Sequence, residues 1–235
     1  MPRTKMTRHQ LKEQDEITSF FEKYTELVIA KKKEVSIGLA AVAGIVIIFF
    51  AWSYYSSSRN ARAQTELSDA INTYNDTVNI KSDKERYEKT IALAQKTYDD
   101  YRSLPVGTIA LYYEALSQEE LGDTAKATQN LQEVMQRGDA SVKGVAQFAL
   151  GAIYKKHGDT QKAIDTYKQL FDSGGYSKAA AAYELANLYE DNKQLDQAKE
   201  YYQKLVSDYP DSPFRQSADD ALKRLGVVTP PPKPS

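Results

Sequence analysis

The chain has 235 residues, of which 41% are hydrophobic and 27% are charged, and its net charge at pH 7 is −1. This balance leaves no broad basic field for binding nucleic acid. The chain has no cysteine, which excludes disulfides and thiolate chemistry, and its two histidines, His9 and His157, lie far apart, which favours surface residues over a zinc site.

Residues 1–34 are predicted to form a cytoplasmic segment that contains an amphipathic helix. Its apolar residues recur at spacings of three and four, which places them on one helix face. They are Ile17, Phe20, Phe21, Tyr24, Leu27 and Val28. This face suits either a docking helix for a partner or a helix that lies on the bilayer surface.

Residues 35–55 contain no charge and are predicted to form one transmembrane helix. As a helix they span roughly 31 Å, close to the hydrocarbon core of a bilayer at about 30 Å. Lys31, Lys32 and Lys33 precede this segment, so the positive-inside rule predicts a cytoplasmic N-terminus and a C-terminal domain outside the cytoplasm. A cleaved signal peptide fits less well, because its charged region would be 34 residues long and contain six acidic residues, and no small-residue cleavage site follows.

Ser36, Ala40 and Gly44 are spaced by four residues within this segment and therefore share one helix face. A stripe of small residues permits close packing against another membrane helix, either of a partner or of a second copy in a homo-oligomer. The alternative is that small residues are simply common in membrane helices.

Residues 59–226 carry an internal repeat. The sequence GDTAKA at residues 122–127 recurs as GDTQKA at residues 158–163, 36 residues later, and the next matching alanine, Ala198, follows after 35 more. A period of this length is typical of stacked helix–turn–helix pairs. The small residues Ala115, Gly151 and Ala186 share one position in the first helix of each pair, and we expect them to let the two helices approach closely.

These positions resemble the tetratricopeptide repeat. The matches are Leu150, Gly151, Tyr154, Ala163 and Tyr167 in one pair, and Leu185, Ala186, Tyr189, Ala198, Tyr202 and Pro210 in the next. The resemblance implies an all-α solenoid, with the best repeats at about 144–177 and 179–212. The pair at 108–141 departs from the pattern, with Glu114 and Gln118 where Leu and Tyr are expected.

Both ends of the repeat region have recognisable signals. Upstream, a first helix over about 59–78, either separate from the membrane segment or continuous with it, and a second helix containing Tyr98 would form a further pair. Downstream, Ser212 and Pro213 are predicted to start a C-terminal capping helix that ends near Gly226. The Pro-rich residues 227–235 are predicted to be a flexible tail.

The whole arrangement resembles the ancillary subunit of the bacterial SecYEG translocon. The features are an acidic N-terminal segment with a Phe-Phe pair, a membrane span ending in Trp and Tyr, and an alanine-rich helix leading into degenerate repeats. The residues are Asp15, Glu16, Phe20, Phe21, Trp52, Tyr54 and the segment 61–78. The resemblance implies a single-pass inner-membrane protein beside the translocon, with periplasmic repeats that meet chaperones or unfolded client chains.

The predicted binding surface is a groove along the first helices. Tyr112, Phe148 and Tyr183 recur at the position that commonly faces such a groove, and Asn187 lies one turn beyond Tyr183. An aromatic ladder with few charges favours extended apolar polypeptide. The alternative is that these rings are partly buried in the stack or covered by the C-terminal helix.

Catalytic signals are lacking in the sequence, which has no Gly-rich phosphate loop, H-E-x-x-H motif or nucleophile elbow. We therefore expect a protein-binding scaffold rather than an enzyme, without cofactor or metal and without nucleic acid as a partner. The leading hypothesis is a role in protein export or envelope-protein folding. The alternative is a structural coordinator of a cell-envelope or cell-division complex.

Overall fold

The computed structural model describes Thr25, residues 29–173 and residues 177–227. These residues form nine α-helices and no strand: α1 (Lys32–Asn75), α2 (Asp83–Tyr101), α3 (Pro105–Glu120), α4 (Thr124–Arg137), α5 (Ala140–Lys156), α6 (Thr160–Ser173), α7 (Lys178–Asp191), α8 (Leu195–Asp208) and α9 (Arg215–Arg224). The chain divides into two compact units, Met1–Arg59 and Asn60–Ser235. The amphipathic face predicted around Phe20 and the Pro-rich tail from residue 228 lie outside the described residues.

Helix α1 contains the predicted membrane segment. Among the described residues it is the one helix long and apolar enough to cross a membrane, a test of length and composition that a signal sequence also passes. Its large apolar side chains are exposed, as Phe50 is to 66%. Ser36 and Ala40 are exposed, and a Cβ atom added to Gly44 would meet nothing within 4 Å. Lateral packing through this stripe stays a prediction.

The repeated GDT sequence marks a turn between the two helices of a pair. Gly122 and Gly158 adopt positive φ angles of 84° and 79°, which glycine tolerates without steric cost. In the second pair the Asp123 side chain then accepts a hydrogen bond from the Lys126 amide and caps α4. The fourth pair has Lys193 at the corresponding position, with a φ of 60°. The turn therefore keeps its positive φ angle in the fourth pair, although lysine replaces glycine there.

Within each pair the helices meet at the small residues predicted from the repeat. Ala115, Ala186 and Ala163 are fully buried. A Cβ atom on Gly151 would lie 2.7 Å from Cε1 of Tyr167, which is closer than real Cβ contacts come. The predicted close approach is confirmed there, because only a glycine leaves room for the tyrosine ring of α6.

The solenoid is held together by two clusters of buried side chains rather than by one core. The first cluster draws on α1 to α5 and includes Leu67 and Leu131. The second draws on α6 to α9 and includes Tyr167, Leu185 and Leu222. Tyr154 of α5 packs against both clusters. Each helix pair therefore depends mainly on its neighbours, as expected of a repeat protein.

The degenerate second pair has a buried polar network where the repeat pattern expects Leu and Tyr. Gln118 Nε2 donates to Glu114 Oε1 at 2.8 Å, and Asn130 Nδ2 of α4 lies 3.2 Å from the same oxygen and 3.0 Å from Gln118 Oε1. Glu114 is only 7% exposed. Burial raises the pKa of its carboxyl above the ordinary value, although the two amide donors act in the opposite direction. The nearby charges are Asp99 of α2 and Lys126 of α4.

We expect Glu114→Gln to be more stable than the wild type at neutral pH, by roughly 1 kcal/mol, because the buried group no longer carries a charge. A pKa raised by folding means that the stability contribution of Glu114 is fully present below its unfolded pKa and is lost as pH rises through its folded pKa. The two proteins should therefore converge in acid and diverge above the ordinary glutamate range. Urea titrations of both at several pH values measure this. A stability difference that does not change with pH would contradict it.

The capping helix begins later than predicted, at Arg215 rather than at Ser212 and Pro213. Ser212 instead closes a turn: its hydroxyl accepts from the Phe214 amide at 3.2 Å, and its carbonyl accepts from the Arg215 amide at 3.1 Å. The turn brings Phe214 against the second cluster, where Leu222 of α9 is fully buried. The predicted C-terminal end near Gly226 is confirmed, since the helix stops at Arg224 with Leu225 as its cap.

Candidate functional site

An open cavity of about 380 Å³ lies between α3 and α5, the first helices of the second and third pairs. It is lined by apolar and small polar side chains without a charge, namely Ile109, Tyr112, Tyr113, Ser141, Val142 and Val145. We call this cavity the α3–α5 groove. Pro105 starts α3, and Asp139 caps α5 by accepting from the Ser141 and Val142 amides, which fixes where both walls begin.

The two walls of the groove differ in chemistry, and the α5 wall is partly exposed to solvent. Val145 remains 43% exposed, although the solenoid buries most of its large apolar side chains. Tyr112 is half-buried, and its ring centroid lies 5.5 Å from that of Tyr113, which in turn lies 5.5 Å from Tyr74 of α1. The groove therefore has an aromatic wall on α3 and an aliphatic wall on α5.

The Tyr112 phenol stays protonated at physiological pH. Burial, together with neighbouring Tyr113 and Tyr74, raises its pKa to about 12. Its hydroxyl forms no hydrogen bond with another described residue, although buried tyrosine hydroxyls usually find a partner. The groove thus offers an apolar surface and the hydroxyls of Tyr112, Tyr113 and Ser141, none of which is hydrogen-bonded to another described residue.

The other three predicted groove residues do not line the α3–α5 groove. Phe148 is half-buried and packs on Tyr167 of its own pair, with ring centroids 5.3 Å apart. Tyr183 stacks on Phe214 at 5.0 Å with an interplanar angle of 17°. Asn187 Oδ1 accepts a hydrogen bond of 2.6 Å from the Tyr202 hydroxyl. The binding role of all four residues stays a prediction, and Tyr112 is the one of them that lines the groove.

The sequence did not indicate the aliphatic wall, because its apolar residues have the same character as residues of the helix core. Val142 and Val145 lie in an apolar helix, and Ile109 precedes the tyrosines by one turn. The available signal was that Ile109, Tyr112 and Tyr113 stand near the start of one first helix, and Val142 and Val145 near the start of the next. Only the stacking of the pairs shows that these two sets face each other.

Charges at the far ends of the first helices are compensated within the chain. Lys156 and His157 both contact Glu119 Oε1 at 2.9 Å, and Lys155 contacts Glu184 at 2.8 Å. Burial opposes ionisation of Glu119, but hydrogen bonds from Lys156 and His157 bring its pKa below the ordinary value. Glu190 pairs with Arg224 of the capping helix at 2.7 Å. These ion pairs link successive repeats.

Among the described residues, no group of three or more His, Cys, Asp or Glu side chains is placed to hold a metal ion.

Comparisons with known proteins agree with this architecture. The profile of the family described as a tetratricopeptide repeat-like domain matches residues 19–216. The nearly identical TPR-like repeats of a Podosopora anserina protein named as a kinesin light chain share the fold, with a TM-score of 0.52, 18% identity, and coverage of 70% of this chain and 87% of that one. MamA gives a TM-score of 0.46 at 23% identity, with coverage of 61% and 81% respectively. No protein with curated functional data matches the chain.

Proposed function

Because the chain belongs to the tetratricopeptide repeat-like domain family, we propose that it is a membrane-anchored scaffold that binds partner proteins through its repeats. The repeat fold typically serves protein–protein interaction rather than catalysis. The observation that supports binding at one particular place is the α3–α5 groove, which is open, uncharged and walled by Tyr112 and Val145. Such a surface favours an extended apolar polypeptide over an acidic one.

The membrane anchor in this proposal is residues 35–55 of α1. Their exposed apolar side chains suit lipid, and Lys31, Lys32 and Lys33 on one side favour a cytoplasmic N-terminus. The repeats would then lie in the periplasm of a bacterial inner-membrane protein. The resemblance to the translocon's ancillary subunit supports SecYEG, periplasmic chaperones or unfolded client chains as partners.

The second candidate function uses the same repeats to coordinate a cell-envelope or cell-division complex. The linked helices suit such a platform, since Glu119–Lys156 joins the second helix pair to the third and Glu190–Arg224 joins the fourth pair to the capping helix. The identity of the captured proteins separates the two functions.

Photocrosslinking in intact cells tests this proposal. A photoreactive amino acid at position 145 is expected to capture translocon subunits, chaperones or exported chains, because this position lies in the groove. The matched control is position 78, since Val78 is 79% exposed and does not line the groove. A photoreactive amino acid at position 78 should yield several-fold less of the same products.

A reporter fused after Ser235 should in addition be active only outside the cytoplasm. Activity of the reporter in the cytoplasm would refute the topology. Division proteins as the main products from position 145 would favour the second function, and equal products from positions 145 and 78 would rule out the groove.

A further inference from the structure

One contact within the chain shows how an aromatic residue at the groove position of a first helix can pack against another aromatic ring. Tyr183 of α7 stands two repeat periods after Tyr112, at the same position of its pair. The ring of Phe214 stacks on it at 5.0 Å, nearly parallel, from the segment that precedes α9. Offset stacking of this kind contributes beyond the burial of apolar area.

At Tyr112 the corresponding space is open. The facing wall from α5 consists of Ser141, Val142 and Val145, none of which is aromatic. The cavity holds about 380 Å³, more than the roughly 150 Å³ that admits benzene in an engineered protein cavity. The space is therefore large enough for one aromatic side chain beside Tyr112.

The size of the groove decides what kind of partner it fits. Its wall contains six residues, whereas each side of a standard protein–protein interface contributes about 20–30. A second folded copy of this chain would have to contact much surface beyond this wall. The groove itself suits one side chain and the backbone on either side of it.

We propose that the α3–α5 groove is a socket for a single aromatic side chain of an extended polypeptide, which stacks on Tyr112 as Phe214 stacks on Tyr183. This socket rests on the proposed scaffold function and specifies the ligand class for it, an extended polypeptide with an aromatic side chain. The Tyr112 hydroxyl, which has no acceptor among the described residues, donates to a backbone carbonyl of the ligand. The uncharged wall selects against acidic segments, because a buried carboxylate would find no partner there.

Peptide binding to the full chain in lipid nanodiscs tests the socket. The probes are two fluorescently labelled, uncharged short peptides that differ only at the central residue, phenylalanine in one and alanine in the other. Burial of the ring is expected to make the phenylalanine peptide bind about tenfold more tightly in anisotropy titrations. Val145→Asp should abolish this preference by placing a charge in the wall.

The matched control is Val78→Asp, which puts the same charge at an exposed valine that does not line the groove and should keep the preference. Circular dichroism of both variants establishes that they are folded. Equal binding of the two peptides to the wild type, or a preference that survives Val145→Asp, would overturn the socket. Either result leaves the scaffold function intact, because that function fails separately only if neither position 145 nor position 78 captures a partner protein in cells.

Discussion

Replacing Gly151 with alanine is expected to lower the free energy of unfolding by about 1–3 kcal/mol, the usual cost of overpacking a core. The new Cβ atom would lie 2.7, 2.8 and 3.0 Å from three atoms of the Tyr167 ring. That ring is 1% exposed and packs on Phe148, so it has little room to move away. Alanine improves helix propensity by up to about 1 kcal/mol, which only partly offsets the clash.

Gly144 of the same helix provides the control. A Cβ atom there would meet its nearest neighbour, the Ser177 hydroxyl, at 3.4 Å, an ordinary contact. Gly144→Ala should therefore stabilise the protein by up to about 1 kcal/mol through helix propensity alone. Urea titration of the full chain in mild detergent, followed by circular dichroism, compares the two. A stabilising effect of both substitutions would show that the helices of the third pair do not need a glycine at their contact.

Leu222→Ala is expected to cost about 2–5 kcal/mol, the range for a large-to-small substitution at a buried leucine. Leu222 is fully buried in the second cluster, together with Leu205 and Tyr202 of the preceding helix. Because the described residues form two separate clusters, the damage should remain in α6 to α9. Hydrogen exchange read by mass spectrometry should show lost protection there and unchanged protection in α2 to α4.

Leu195→Ala is the matched control for this substitution, since Leu195 is 43% exposed at the start of α8 and should change stability by less than about 0.5 kcal/mol. Uniform loss of protection from α2 to α9 in Leu222→Ala would mean that the solenoid unfolds as one unit and that the two clusters are not independent.

The sequence by itself determined the features that depend on nearby residues. The GDT turns place Gly122 and Gly158 at positive φ, and the alanines and Gly151 recur at helix contacts because each pair repeats the same local geometry. A period of 35 to 36 residues was therefore enough to predict helix pairs, their close approach and the tetratricopeptide-like solenoid.

Only the tertiary structure decided which residues from different pairs share a surface. Tyr112 and Tyr183 have the same place in the repeat, yet Phe214 covers one, while Val142 and Val145 leave space beside the other. The repeat gives no sign of this difference, because neighbours come from the next helix along the solenoid and vary in size. In the sequence, Glu114 and Gln118 are only departures from the repeat pattern. In the structure, Asn130 of α4 completes a hydrogen-bond network with both of them. Packing between helices follows the volume and polarity of each facing side chain, and periodicity alone does not specify either.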